Sequence, residues 1–245
     1  MTTLFIHSTG TGPGMWASVP EDLAPGRSMP PNVGYPPDGP VPRGQIVTLE
    51  DDLARLLESA EGPVDIVAHS YGATLALALL GKADVRSLVL VEPVLFGALV
   101  HTELTPDIIE DTRWFLEERW FLDDLERGGT EAWLIRFVDY WNRPGSFAAM
   151  PAVMRETQLA LGWKMFQEVR ACFYGMDHFP EIPPEIRTTL AFGERTTASS
   201  KAMIAEMARR SPHAVVVALP GTGHMAPVTH PGKVHTALRE HIQRS

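Results

Sequence analysis

The sequence predicts an α/β protein, built on a mostly parallel sheet with flanking helices and interrupted by one stretch that is helical throughout. Three observations carry this reading. Short apolar runs rich in β-branched residues alternate with helical spacings in the first and last parts of the chain. One of these runs, Val64 to Ala68, meets a tight turn at His69-Ser70-Tyr71 and passes directly into the helical pattern Thr74 to Leu80. From Gly97 to about Phe179 the alternation stops and only helical patterns remain. A chain of 245 residues suits one large domain. Residues 1–96 and 180–245 then form the core, and 97–179 form the helical insertion.

Taken in order, Leu4-Phe5-Ile6 reads as a short buried strand. It runs into His7-Ser8-Thr9-Gly10-Thr11-Gly12-Pro13-Gly14-Met15-Trp16, where three glycines and a proline exclude regular structure and let backbone N–H groups turn inward. Arg27 to Pro42 holds prolines at 30, 31, 36, 37, 40 and 42, which exclude a helix or a central strand and leave a stub of strand near Arg27-Ser28-Met29. Thr48 precedes Leu49, Leu53, Leu56 and Leu57 at one-face spacing, with Glu50, Asp51 and Asp52 supplying negative charge at the helix N-terminus, so a helix spans about 49 to 60. Gly62-Pro63 ends it, the strand Val64 to Ala68 enters, and the following helix runs to near Gly81. Val85 to Val91 is the next buried strand, closed by Glu92-Pro93. Within the insertion, helices are expected over Pro106 to Glu126, Thr130 to Trp141 and Pro151 to Phe173, separated at Gly128-Gly129 and Pro144-Gly145. Strands return at Thr188 to Phe192 and Ala214 to Leu219, with a helix from Ser200 to Arg210 between them.

Composition narrows the function classes. A net charge of −9 and a pI near 5.5 leave no basic stripe for nucleic acid. Cys172 is the single cysteine, which excludes an internal disulfide framework and a thiol-rich metal site; it reads as a small buried hydrophobe. The histidines lack metal-binding spacings such as H-E-x-x-H, and no cofactor or metal is expected. No apolar run reaches about 20 residues, and the first residues lack a basic n-region, so a cytoplasmic protein without membrane partners is expected. The expected partner is a small-molecule substrate.

Ser70 stands at the corner between strand and helix. Such a sharp turn tolerates only small residues two places either side, and Ala68 and Gly72 meet that demand. A plain helix-capping serine is the alternative reading. The pattern Ala68-His69-Ser70-Tyr71-Gly72 resembles the nucleophile elbow of the α/β-hydrolase family, with alanine in the first slot. The loop from His7 to Trp16 resembles the family's His-Gly loop, with Ser8 where glycine is usual. Pro220-Gly221-Thr222-Gly223-His224-Met225-Ala226-Pro227 closely resembles the loop that bears its histidine. The resemblance implies a trimmed α/β-hydrolase fold of about six strands, because the two antiparallel strands usual before the His-Gly loop have no room here. It also implies that the insertion is a lid, holding Trp114, Trp120, Trp133, Trp141 and Trp163. Most of these rings are expected to pack helices together, with one or two lining a pocket.

By the same resemblance Ser70 is the nucleophile, His224 its base, and the N–H groups of Thr9 and Tyr71 the oxyanion hole. The acid departs from the usual pattern. Gly193-Glu194-Arg195-Thr196 puts threonine where aspartate is usual, and threonine cannot stabilise an imidazolium. The nearest substitutes are Glu194, two positions early, and Glu92, at the end of the preceding strand, where some family branches carry their acid. Glu92 is favoured, and Glu194 stays open. The implied activity is that of an esterase-like serine hydrolase acting on a small, fairly apolar ester or lactone. A lyase, cyclase or cofactor-free oxygenase using His224 without acylating Ser70, or a non-catalytic ligand-binding module, would be compatible with the same loops.

Overall fold

The computed structural model describes residues 2–244. Six strands form one sheet in the order β2-β1-β3-β4-β5-β6, every neighbouring pair parallel. They are β1 (Thr2–Ile6), β2 (Arg27–Ser28), β3 (Val64–His69), β4 (Val85–Val91), β5 (Arg187–Gly193) and β6 (Val215–Leu219). The six-stranded sheet matches the trimmed architecture expected from the sequence.

Period-two alternation decides which core each strand side chain enters. Leu4, Ile6, Ile66, Ala68, Leu88 and Leu90 face a large core with α1 (Leu49–Glu58), α2 (Tyr71–Ala78), the insertion and a later helix. Phe5, Val67, Val89 and Val91 face a smaller one, closed by Trp16, Leu23 and the C-terminal helix. Both faces are covered, which is why these strands read as continuous apolar runs rather than as alternating ones.

The insertion comprises α3 (Phe96–Leu99), α4 (Pro106–Glu117), α5 (Trp120–Asp123), α6 (Glu131–Trp141) and α7 (Ala152–Tyr174), all between β4 and β5. The expected helix over 106–126 divides because Glu118, at φ −88° and ψ 71°, leaves the helical region. The helix after Ser70 stops at Ala78, short of Gly81, which then turns the chain at φ +76°. The chain continues through α8 (Ala198–Arg210), α9 (Ala226–Thr229) and α10 (Pro231–Gln243). The pattern of α10 was not singled out in the sequence; its buried stripe is only Val234, Ala237, Leu238 and His241. No helix among the described residues is long and apolar enough to cross a membrane.

Candidate active site

The carboxyl ends of β1, β3 and β4 and the loop after β6 converge on one cavity, where a parallel sheet places its functional side chains. Ser70 links β3 to α2 at φ 56° and ψ −122°, a conformation a non-glycine residue adopts only when its surroundings hold it. Gly72 explains part of that restraint. A Cβ there would lie 2.5 Å from the His7 carbonyl and 2.6 Å from that of Ile6, so the turn can press against the end of β1 only without a side chain.

His224 comes from the loop between β6 and α9. Its Nε2 stands 3.1 Å from Ser70 Oγ, and its Nδ1 stands 2.6 Å from Glu92 Oε2. The three side chains therefore form one hydrogen-bonded line, and all three are buried. Two contacts hold the histidine loop in place. His69 Nε2 donates to the His224 carbonyl at 2.9 Å, and a Cβ on Gly193 would meet the carbonyls of Thr222 and Gly223 at 2.6 and 2.7 Å. Burial drops His69 to about 3 and His7 to about 4, so both are neutral packing histidines.

Glu92 has φ 47°, a second strained position at a strand end. Its Oε1 accepts the Gly193 N–H at 2.7 Å, and its Oε2 accepts the Thr196 hydroxyl at 2.6 Å in addition to His224. Burial alone would push the Glu92 carboxyl up. The charge of His224, its hydrogen bond, and those from Thr196 and Gly193 outweigh that penalty and hold the carboxyl below its ordinary range. Glu92 is therefore an anion facing the imidazole. Glu194, the alternative acid, is exposed, and its carboxylate accepts the Gly221 N–H at 2.8 Å instead.

Thr9 and Tyr71 line the cavity beside Ser70. The Thr9 N–H has no hydrogen-bond partner among the described residues. Tyr71 is the first residue of α2, so no carbonyl of its own helix can reach its N–H. Both amides are thus available to an anionic oxygen.

The cavity has two parts. An outer chamber of about 310 Å³ is lined by Met15, Met150, Met154, Met225 and Val228. A narrow inner slot of about 20 Å³ runs between Phe96, Trp114, Phe115, Phe137, Tyr140 and Phe173. Trp141 borders both, and its ring stacks on His224 with centroids 3.8 Å apart and planes at 22°. Of the other insertion tryptophans, Trp114 lines the slot, while Trp133 stacks between Phe121 and Phe137, and Trp163 donates to the Gln45 carbonyl. Trp120 donates to Glu118 at 3.1 Å.

Three features escaped the sequence reading. Thr196 was legible only as a missing acid, although a hydroxyl three residues past Gly193 is a ready donor to a carboxylate on the next strand. The stacking of Trp141 on His224 has no local signal. Asp52, expected to serve the α1 dipole, is instead fully buried against Lys164. Lys164 and Glu168, one turn apart among the mostly apolar residues Leu161 to Val169, were the available hint. Among the described residues no group of three His, Cys, Asp or Glu side chains has metal-binding geometry.

The chain belongs to the alpha/beta hydrolase family, whose model matches residues 3–237. Solved structures similar to it include a thermophilic esterase from Thermogutta terrifontis, 21% identical, covering 99% of this chain and 89% of that one with a TM-score of 0.67. One of a set of epoxide hydrolases from metagenomes of hot environments is 18% identical, with 98% and 90% coverage and a TM-score of 0.70. MenH from S. aureus is 14% identical, with 99% and 93% coverage and a TM-score of 0.65. At these identities the likeness is one of fold. No curated protein matches the sequence.

Proposed function

We propose that the protein is a serine hydrolase of small, fairly apolar esters or lactones, working through an acyl-enzyme on Ser70. The observation that carries this reading is the continuous line Ser70 Oγ, His224 Nε2, His224 Nδ1, Glu92 Oε2, at 3.1 and 2.6 Å. In the first half-reaction Ser70 Oγ bonds to the substrate carbonyl carbon and its proton passes to His224 Nε2. The carbonyl oxygen becomes an oxyanion held by the Thr9 and Tyr71 amides. Collapse breaks the bond to the leaving oxygen, which takes the proton from His224. Water then enters, loses a proton to His224, adds to the acyl carbon, and the acid departs as Ser70 recovers its proton.

Glu92 fixes the imidazole tautomer and stabilises the imidazolium between these transfers. The Trp141 face against His224 adds cation–π stabilisation to the same charged state. A serine at the elbow favours acyl chemistry over the alkyl-ester intermediates that a carboxylate nucleophile would form. The apolar lining supports a small substrate with few charges, for which the methionine-rich chamber of about 310 Å³ has room, while the aromatic slot of about 20 Å³ admits no more than a small terminal group. In this reading residues 97–179 act as the lid.

Ser70→Ala and His224→Ala should each lower turnover of short p-nitrophenyl esters by roughly 10⁶-fold in kcat. Near-normal turnover in a folded Ser70→Ala protein would reject acylation and favour a lyase, cyclase or oxygenase role for His224.

A further inference from the structure

Outside the Ser70 line lies a second set of buried charges. Asp52, Lys164 and Glu168 are each at most 1% exposed. Lys164 Nζ stands 2.6 Å from Asp52 Oδ2 and 3.1 Å from Glu168 Oε1. Taking three ions out of water is costly, and apolar residues of similar volume often serve stability as well or better, so stability alone does not account for the group.

The hydrogen bonds that complete it have a direction. Asp52 Oδ2 accepts the Tyr71 hydroxyl at 2.7 Å, and Asp52 Oδ1 accepts the Val33 N–H at 2.8 Å. Glu168 Oε2 accepts the Tyr35 hydroxyl at 2.9 Å, and that hydroxyl oxygen in turn accepts the Gly10 N–H at 2.7 Å. One arm therefore ends on Tyr71, and the other ends on the residue after Thr9. These are the two backbone segments that line the cavity beside Ser70 and whose amides the proposed mechanism uses. The helix that supplies Lys164 and Glu168 also grips the Thr9 loop directly: Gln158 Nε2 donates to the Gly10 carbonyl at 2.7 Å. Gly10, at φ +75°, has no room for a Cβ, which would lie 2.8 Å from Gln158 Oε1 and Met165 Cε.

We propose that Lys164 is a positioning residue: from α7 it ties Asp52–Tyr71 to Glu168–Tyr35–Gly10 and so fixes the spacing between the two oxyanion-binding amides. This rests on the acyl-transfer reading above. A donor displaced by about 1 Å loses more of its hold on a developing oxyanion than on a neutral carbonyl, with losses approaching 100-fold. Within the lid, α7 is then the fixed part, tied to the catalytic frame through Lys164, Glu168 and Gln158.

The test compares two ligands that differ in whether an oxyanion forms. 2,2,2-Trifluoroacetophenone adds Ser70 Oγ to its carbonyl and places an oxyanion on the amides, whereas acetophenone binds as a neutral ketone. Affinities for both are measured with the full-length protein and with Tyr35→Phe, Tyr71→Phe and Lys164→Met. The phenylalanine variants remove one hydroxyl each and carry the test whether or not Lys164→Met folds. The expected result is about tenfold or greater weakening of trifluoroacetophenone in each folded variant. Acetophenone affinity and KM for p-nitrophenyl acetate should stay within about twofold, with kcat falling by the same factor as the trifluoroketone affinity. Equal weakening of both ketones, or no weakening in Tyr35→Phe and Tyr71→Phe, would overturn the bridge while leaving the nucleophile intact. Absence of a Ser70 adduct in the unmodified protein, read by ¹⁹F NMR, would overturn the acyl-transfer reading and this inference with it.

Discussion

Strands β4 and β5 lie side by side, and each ends in a loop with a glutamate within a residue of its last position, yet only one of the two carboxylates reaches His224. Glu92, after β4, is fully buried at a positive φ and accepts hydrogen bonds from His224, Thr196 and Gly193. Glu194, after β5, is exposed and braces the Gly221 turn. Two glutamates at equivalent strand ends thus reach different partners because the backbone around each one differs. The β5 loop contributes two donors, the Gly193 N–H and the Thr196 hydroxyl, to the carboxylate of its neighbour, while its own glutamate faces away. The threonine in the usual acid slot still has a role, because its hydroxyl points at the oxygen that meets the histidine.

The largest effect is expected from removing the buried charge. Glu92→Gln should lower kcat for a p-nitrophenyl ester by about four orders of magnitude, because the amide can present the wrong donor to Nδ1 and cannot stabilise an imidazolium. A loss below about tenfold in a folded protein would show that the line from Ser70 does not need this carboxylate. Thr196→Val comes next. It removes one of the donors holding the Glu92 carboxyl below its ordinary range and should reduce kcat by about tenfold, with a stability loss of about 1.5–3 kcal/mol at pH 7. The sign of the pH dependence follows from the lowered carboxyl. Glu92 contributes stability above its ordinary value of 4.5, and that contribution is lost as pH falls through its lower folded value. The gap between wild type and Thr196→Val in urea unfolding should therefore be full at pH 7 and narrow as the pH drops below about 4.5. A gap that stays constant with pH would assign the effect of Thr196 to packing. Smallest of all, Glu194→Gln should leave kcat within about twofold, since its amide oxygen can still accept the Gly221 N–H. A large loss there would reverse the assignment of the two loops.

Much of this site could be read from residues alone, for a physical reason. Strand ends, glycine corners and a histidine in a glycine-rich loop are local signals, and backbone demands at Ser70 and Gly72 are written into the residue types at those positions. The six-stranded, mostly parallel sheet and the candidate set Ser70, Glu92 and His224 followed from the resemblance those local signals supported, whereas the order of the strands in the sheet did not. Contacts between distant segments had no such local form. Trp141 and His224 meet across 83 positions, and Asp52 meets Lys164 across 112. Asp52 shows the limit plainly. As the third acidic residue in the first turn of α1 it looked like a dipole partner, but its place on the helix face turns it into the core, while Asp51 takes the capping role by accepting the Thr48 N–H at 2.7 Å. The break in the helix at Glu118 was equally hidden, because no glycine or proline marks it.

Whether Ser70 is the activated nucleophile proposed above is decided by intact-mass and peptide mass spectrometry after treatment with a p-nitrophenyl alkylphosphonate. One phosphonyl group per chain is expected, located on Ser70, with labelling abolished by Ser70→Ala and strongly slowed by Glu92→Gln but not by Glu194→Gln. A folded protein that takes up no label, or takes it up on another residue, would contradict that role for Ser70.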